Sequence, residues 1–467
     1  MTALGEFTDG LTVVDRPLKI CLLGYRSHPH CGGQGIYLHY LSKALVDAGH
    51  EVDVISGQPY PELDERVRLI KMPGLNLYEH ENPATALRLR HLRSWADFFE
   101  WFSKLTGGFA EPYTFGRRVS RYLRRHGQHY DIVHDNQSLC YGLLDIEKSG
   151  IPVVATIHHP ITRDRQLALD AAPDWFYRLL VRRWHYFLRM QKRVARKLPH
   201  IVTVSTQSLQ DIVDQFGVRR EQLTLIYNGI DTDVFRPMPE LKRNPMRIMT
   251  TASADQPLKG LRFLLQAVAL LRPRYPALEV LVVGKLKEGG ATEQLLKELQ
   301  LEDTVRFVSG ITHQEMVEFY CTSRMVVCPS LYEGFGLPTG EAMACGVPVI
   351  SSDGGALPEV VGDAGIVVPA GDSGALSRAM DRLLASTALC DDYGRLGRER
   401  IEREFSWRRV AEQLTLFYRD ILARRDATGA RQSHTAQPHT AASGLHVNAA
   451  NADGRSHDGR ESSGEAA

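Results

Sequence analysis

The sequence has no run approaching the roughly 20 apolar residues that a membrane-spanning helix needs, and its 467 residues carry a net charge of only +1. The first absence argues against an integral membrane protein. The second argues against a chain drawn as a whole to nucleic acid or to acidic partners. Lysine is scarce, 12 against 44 arginines, a bias that suits phosphate and carboxylate recognition. The seven cysteines, Cys21, Cys31, Cys140, Cys321, Cys328, Cys345 and Cys390, include no CxxC pair. Scattered and odd in number, they speak against a disulfide framework or a zinc site and fit a reducing cytoplasm. Residues 1–17 hold acids and no apolar core, so they read as an extension and not as a signal peptide. No internal repeat is visible.

What is present is ordinary globular composition, 43% hydrophobic and 24% charged, arranged as short apolar runs alternating with amphipathic helical stretches. That alternation predicts an α/β fold of parallel sheets. Strands are expected at 18–23, 51–55, 131–134, 153–157, 201–204 and 223–226. A second series is expected at 246–250, 278–283, 305–308, 325–328 and 348–351. The turn-rich segment with Asn228-Gly229, Pro237, Pro239 and Pro245 separates the two. The expected organisation is two doubly wound Rossmann-like domains, 18–235 and 236–404, facing a cleft. A C-terminal helix, 405–425, crosses back towards the first domain. Residues 426–467 hold almost no large apolar side chains and are expected to be disordered.

The most informative stretch is 329–348, PSLYEGFGLPTGEAMACGVP, which follows a strand and leads into a helix beginning near Pro338. Glu333 then lies on the strand-to-helix loop and Glu341 in the first helical turn. Gly334 and Gly336 let a ligand approach the backbone, and the helix N-terminus offers unpaired N–H groups to sugar or phosphate oxygens. A pair of carboxylates here suits hydroxyl recognition. A surface loop with a helix-capping Glu341 fits the same residues. The loop Gly32-Gly33-Gln34-Gly35 follows the first strand and fits either a diphosphate cradle or a simple tight turn. Thr156-Ile157-His158-His159-Pro160 ends a strand, and His134 and Asp135 end another on the same expected cleft. Lys259 opens the helix after the second domain's first strand, well placed to neutralise a leaving diphosphate.

The 329–348 stretch resembles the E-x7-E signature of family 4 retaining glycosyltransferases. Ser352-Asp353-Gly354-Gly355-Ala356-Leu357-Pro358-Glu359, and Asn228-Gly229-Ile230-Asp231 with Phe235 and Pro237, resemble further blocks of that family. The resemblance implies the GT-B fold over roughly residues 18–420 and a hexosyl transfer with retention that needs no bound metal or cofactor. The donor would be a UDP- or GDP-linked sugar. It implies that Glu333 contacts the donor sugar hydroxyls and Glu341 the nucleotide ribose. Backbone amides at Phe335, Gly336 and Leu337 would hold sugar and diphosphate, with Gly33 facing them. His158 (His159 if the register slips) would approach the sugar, and Lys259 would stabilise the leaving group. The family pattern G-R-x-x-x-x-K-G is broken by Ala254 in the arginine position, which leaves Arg262 or an N-domain arginine to complete the clamp. Rival readings are a nucleotide-sugar epimerase, a phosphorylase, or an inactive partner subunit that only binds the donor.

Residues 174–198 read as one helix with a cationic stripe, Arg178, Arg182, His185, Arg189, Lys192 and Arg196, beside an apolar one, Phe176, Leu180, Trp184, Phe187, Val194 and Leu198. Such a helix suits either a solvated face of the first domain or an anionic membrane interface. With the aromatics at 95–102, and with the resemblance placing the acceptor in the N-domain, the second option implies a lipid-linked or amphiphilic acceptor. It would place the protein in the cytoplasm, peripheral at the inner face of the cell membrane.

Overall fold

Seven segments of the first half form one parallel sheet: β1 (Lys19–Gly24), β2 (Glu51–Ser56), β3 (Arg68–Lys71), β4 (Ile132–Asn136), β5 (Val153–Ile157), β6 (His200–Thr203) and β7 (Leu223–Leu225). Their order is β3-β2-β1-β4-β5-β6-β7. Six segments of the second half form another: β8 (Arg247–Thr251), β9 (Glu279–Val283), β10 (Val305–Val308), β11 (Met325–Cys328), β12 (Val349–Ser352) and β13 (Ile366–Val368), ordered β10-β9-β8-β11-β12-β13. This computed structural model describes residues 16–29, 33–77, 94–170, 172–252 and 256–435, side chains of 163, 167 and 428–435 excepted. The chain falls into two compact units, Met1–Ala423 and Arg424–Ala467.

The strands are near-continuous apolar runs because helices cover both faces of each sheet. Successive side chains of β1 show it: Cys21 and Leu23 join one buried cluster, Ile20 and Leu22 the cluster on the other face. Met325 and Val327 of β11 likewise part from Val326 and Cys328. Burying each such aliphatic side chain contributes about 1.5–3 kcal/mol. The two strands with no counterpart in the sequence reading, β3 and β13, lie at sheet edges. The β3 residues are half exposed, and β13 is only three residues long, so neither forms a distinct apolar run.

In both sheets the chain order reverses beside the first strand, between β1 and β4 and between β8 and β11. Parallel α/β sheets bind ligands beyond the carboxyl ends of their strands at such points. Two chain crossings lie side by side between the sheets: Ile230 N donates to Phe405 O at 2.6 Å, and a Cβ on Gly229 would fall 2.3 Å from the Trp407 ring. In the helix Trp407–Thr435, Val410, Ala411, Leu414, Tyr418 and Ile421 recur at helical spacing and bury with Leu18, Ile20 and Leu22 of the first domain.

Two expectations need correction. The last helix runs to Thr435, beyond the 425 boundary read from composition; once a helix is nucleated, each further residue adds a hydrogen bond at little cost. Residues 436–467, expected to be disordered, lie outside the described residues. The segment 174–198 is also not one helix. It is Trp175–Trp184, a 3-10 turn His185–Phe187 and Leu188–Ala195. Phe187, Leu188, Val194 and Leu198 are buried in the first domain, whereas Trp175–Trp184 buries none of its residues. The tighter 3-10 turn changes the side-chain period, so the apolar stripe is a packed one only in its second half.

Candidate functional site

Beyond β11 the loop that carries Glu333 is held from two sides by backbone. On one side is the 3-10 turn Pro257–Lys259, which ends at Gly260 in the left-handed region (φ +63°). A Cβ there would lie 1.9 Å from Pro329 O, so the two loops are in direct backbone contact. Leu331 N donates to Leu258 O at 2.7 Å. This registration sets Lys259 Nζ 2.7 Å from Glu333 Oε1, and Ser330 Oγ donates to the same oxygen at 2.9 Å. On the other side Ala356 N donates to Glu333 O at 2.9 Å. A Cβ on Gly355 (φ +71°) would fall 2.3 Å from that carbonyl. The two blocks of sequence, 329–348 and 352–359, thus form one layered loop. Charge on the Lys259–Glu333 pair is only partly shielded, with side chains 31% and 17% exposed.

Glu341 is the fifth residue of the helix Leu337–Ala344, so it lies past the first turn where sequence placed it. It is therefore not a dipole cap. Its Oε2 accepts from Tyr320 Oη at 3.0 Å. Burial pushes its carboxyl up to about 7, against the opposing Tyr320 hydrogen bond. Tyr40, on the first-domain helix Gly33–Asp47, is raised by burial and then by the charges of Asp231 and Glu341. Phe335 is buried and packs on Phe405, ring centroids 5.9 Å apart. Gly336 caps the helix at φ +96°. Along Gly336-Leu337 the main chain forms the N-terminus of the helix Leu337–Ala344, whose first N–H groups have no partner within the helix.

From the first domain, His158 sits just past β5. Its Nε2 is 2.8 Å from Asn136 Oδ1, and Tyr37 lies edge-on to its ring at 4.6 Å. Burial, then the neighbouring His159, pushes its pKa down to about 3, so it is neutral at ordinary pH. His159 is the more solvent-facing of the two and pairs with Asp164 at 3.3 Å. His134 and Asp135 do not line the cleft. Both are fully buried, His134 bonded to Tyr418 and Thr156, and Asp135 to Ser138 and the Leu139 amide. Gly33, the first residue of its helix, is exposed, and a Cβ there would meet nothing. The steric need is at Gly35, where a Cβ would fall 2.1 Å from His28 O. Gly32 and Ala254 lie outside the described residues. Arg262, an offered substitute for the missing arginine, is exposed and lies over Phe263 at 4.4 Å.

The halves meet at the Glu333 loop. Gly334 O accepts from Ser205 Oγ at 2.9 Å, and a Cβ on Gly334 would lie 3.5 Å from His159 Cβ. Glu359 of the second domain accepts from Thr206 N (2.8 Å) and Gln207 N (3.1 Å), capping the first-domain helix Thr206–Phe216. Tyr332 donates to Asp211 at 2.6 Å. The structure thus brings Lys259, Glu333 and Ser330 together and sets the adjoining Gly334 against the His158–His159 strand end. Sequence reasoning missed Tyr320, Ser330, Asn136, Ser205 and Ser208. Ser330, three residues from Glu333, and Asn136, next to Asp135, had a local signal; the others come from distant segments.

Residues 238–400 match the family described as glycosyl transferases group 1, and residues 31–234 match glycosyltransferase family 4. An MMP alpha-(1->4)-mannosyltransferase of Mycolicibacterium hassiacum is 46% identical over 412 residues, 87% of this chain and 99% of that one. A D-inositol 3-phosphate glycosyltransferase of Kribbella flavida is 26% identical over 87% of this chain and 96% of its own. Among solved structures, sucrose-phosphate synthase of Thermosynechococcus elongatus superposes with a TM-score of 0.64 at 26% identity, covering 87% and 99% of the two chains. Anabaena HepE, solved with UDP, shares the fold at a TM-score of 0.61 and 17% identity, over 87% and 99%. With two parallel α/β domains and these relatives, the chain belongs to the group 1, family 4 glycosyltransferases of the GT-B fold and is a glycosyltransferase.

Proposed function

We propose that the enzyme transfers mannose from a nucleoside-diphosphate-mannose donor, UDP- or GDP-linked, to a saccharide hydroxyl, making an alpha-(1->4) bond with retention. The observation that carries the reading is the Lys259–Glu333 pair, held by backbone contact on both sides and set beside the His158–His159 strand end. The sugar and linkage follow the 46% identical relative, and the acceptor would be of that relative's MMP kind. In this reading Glu333 orients sugar hydroxyls and Glu341 accepts from the ribose. The amides of Gly336 and Leu337 hold the diphosphate, and Lys259 offsets its growing charge. The bond from the anomeric carbon to the diphosphate oxygen breaks, and one to the acceptor oxygen forms. The acceptor proton passes to the departing phosphate oxygen. No metal or cofactor takes part.

The test is incubation of GDP-mannose, UDP-mannose and the corresponding glucose donors with an α-mannoside acceptor, with and without EDTA. An α-linked mannosylated product whose yield is unchanged by EDTA is expected. Epimerised or phosphorolysed donor without acceptor, a β-linked product, or loss of activity restored by Mg²⁺ would each contradict the reading.

A second reading concerns where the acceptor is met. The helix Trp175–Trp184 exposes Trp175 (76%), Phe176, Tyr177 and Leu179, and the helix Trp95–Leu105 exposes Trp95, Phe98, Phe102 and Leu105. Arg183 joins the two through Thr106 Oγ1 at 2.9 Å, and Arg178, Arg182 and Arg189 are exposed nearby in sequence. Aromatics with arginines suit an anionic membrane interface, at the cytoplasmic face, and an amphiphilic or lipid-linked acceptor. No helix among the described residues is long and apolar enough to cross a membrane. Co-sedimentation with phosphatidylglycerol vesicles is expected, weakened by salt and by Arg182→Glu/Arg189→Glu. Equal absence of binding by wild type and variant at low salt overturns this reading.

A further inference from the structure

At the end of β4 the chain makes an unusual bend. Gln137 (φ +54°) and Leu139 (φ +46°) both occupy the left-handed region without being glycine, a conformation that persists only where the surroundings over-determine it. The surroundings here are explicit. Asp135, fully buried, accepts from Ser138 Oγ and from Leu139 N. Gln191 Nε2 donates to Gln137 O at 3.2 Å. The bend turns the Gln137 side chain onto the strand end of β5. Gln137 Oε1 accepts from His158 N at 2.8 Å, and its Nε2 donates to His159 O at 2.8 Å. Ser208 Oγ donates to His158 O at 2.8 Å. The backbone of His158 is therefore clamped on both its polar groups.

Asn136 acts on the ring. Its Nδ2 donates to Gln34 O at 3.0 Å, which commits the amide's donor end and turns Oδ1 towards His158 Nε2 at 2.8 Å. An amide oxygen only accepts, so Nε2 must carry the proton. In a neutral imidazole Nδ1 then has the free lone pair. No hydrogen bond to Nδ1 arises within the described residues.

We propose that Asn136 is a positioning residue that holds His158 in one neutral tautomer, Nε2–H donated to Asn136 and Nδ1 left to accept from a hydroxyl of the transferred sugar. This rests on the donor-sugar reading of His158. The bond to Gln34 O also ties that ring to the first turn of the helix Gly33–Asp47. The groups around the imidazole are Tyr37 from that helix, Asn136 and His134 from β4, and His159 with its partner Asp164; the Gly334 loop across the cleft meets the His158 carbonyl and the His159 side chain. Of these, His159 disfavours an imidazolium at His158 and reinforces the neutral state that burial imposes.

The experiment is 15N spectroscopy of histidine-labelled full-length protein from pH 5 to 8, the His158 signal assigned by its loss in His158→Gln. It is paired with kcat at saturating donor for wild type, Asn136→Ala and Asn136→Asp. Wild-type His158 is expected to stay neutral with the proton on Nε2 throughout. Asn136→Asp supplies a carboxylate to Nε2–H, so an imidazolium forms with falling pH and Nδ1 ceases to accept. The ratio of its kcat to wild type is expected to fall about tenfold for each pH unit below the raised pKa and to recover above it. Taking the ratio removes titrations common to both enzymes. Asn136→Ala is expected to give mixed tautomers and a lower kcat with little change in KM. A wild-type proton on Nδ1 overturns the proposal with no variant needed. So does an Asn136→Asp to wild-type ratio that stays constant with pH. Full transfer activity in His158→Gln overturns instead the donor-sugar reading beneath it.

Discussion

Replacing Lys259 by methionine is expected to lower kcat by about 10²–10³, the cost of removing one preorganised charge from a developing oxyanion, with KM for the donor changed far less. The asymmetry follows from when the charge appears. In the resting enzyme Lys259 Nζ is 2.7 Å from Glu333 Oε1, and the pair is partly exposed, so its ground-state worth is about 1 kcal/mol or less. As the bond to the diphosphate breaks, negative charge accumulates on the phosphate oxygens and the same ammonium interacts with it more strongly. Arg262, one of the cations offered for the clamp by sequence, is exposed over Phe263. Methionine keeps most of the side-chain volume, and Ser330 Oγ still donates to Glu333, so the fold is expected to survive. Steady-state kinetics with a melting curve decide the matter: a folded Lys259→Met with kcat within threefold of wild type would refute the assignment.

The second large effect runs in opposite directions for stability and for binding. Glu341→Gln is expected to raise the melting temperature at pH 8, to give no such gain at pH 5, and to weaken nucleotide binding about tenfold or more, as loss of a charged hydrogen-bond acceptor costs about 1.5–3 kcal/mol. The folded-state value of about 7 lies above the ordinary carboxylate range. The folded protein therefore favours the protonated acid. That stabilising contribution is complete below the unfolded value near 4.3 and is lost as pH rises through 7. At pH 8 the native state holds an ionised carboxylate in a buried place, at a cost of up to about 4 kcal/mol. Glutamine removes the charge and can still accept from Tyr320. The ionised form is the better acceptor for ribose hydroxyls, so wild-type nucleotide affinity is expected to rise between pH 6 and pH 8 and that of the variant to stay flat. Calorimetric titration with GDP and UDP across that range measures both. Equal melting shifts at pH 5 and pH 8 would show that Glu341 is not held against its charge.

Much of the architecture was legible because buried parallel strands are continuous apolar runs. Eleven of the thirteen strands among the described residues, such as Val153–Ile157 and Met325–Cys328, announce themselves in this way. The two that do not, Arg68–Lys71 and Ile366–Val368, are edges whose pairing comes from a neighbour and not from their own composition. At 174–198 periodicity alone suggested one helix. The 3-10 turn at His185–Phe187 appears only once Phe187 and Leu188 have a core to enter. The glycine loop teaches the same point at finer scale, since Gly35, not Gly33, is the residue that a neighbouring carbonyl forbids to carry a side chain.

The sequence by itself determined the fold class, and its resemblance to family 4 glycosyltransferases supplied the kind of chemistry. Apolar periodicity prescribes two parallel α/β domains, and the spacing of Glu333, Glu341 and their glycines is local along one loop and helix. What only the tertiary structure decided is how those groups are charged and held. Lys259 reaches Glu333 across 74 residues, Tyr320 reaches Glu341 across 21, and Asn136 reaches His158 across 22. Burial, which shifts Glu341 up and His158 down, is a property of the packed whole. Hydrogen-bond partners and dielectric depend on what folding brings near, and no spacing along the chain encodes them.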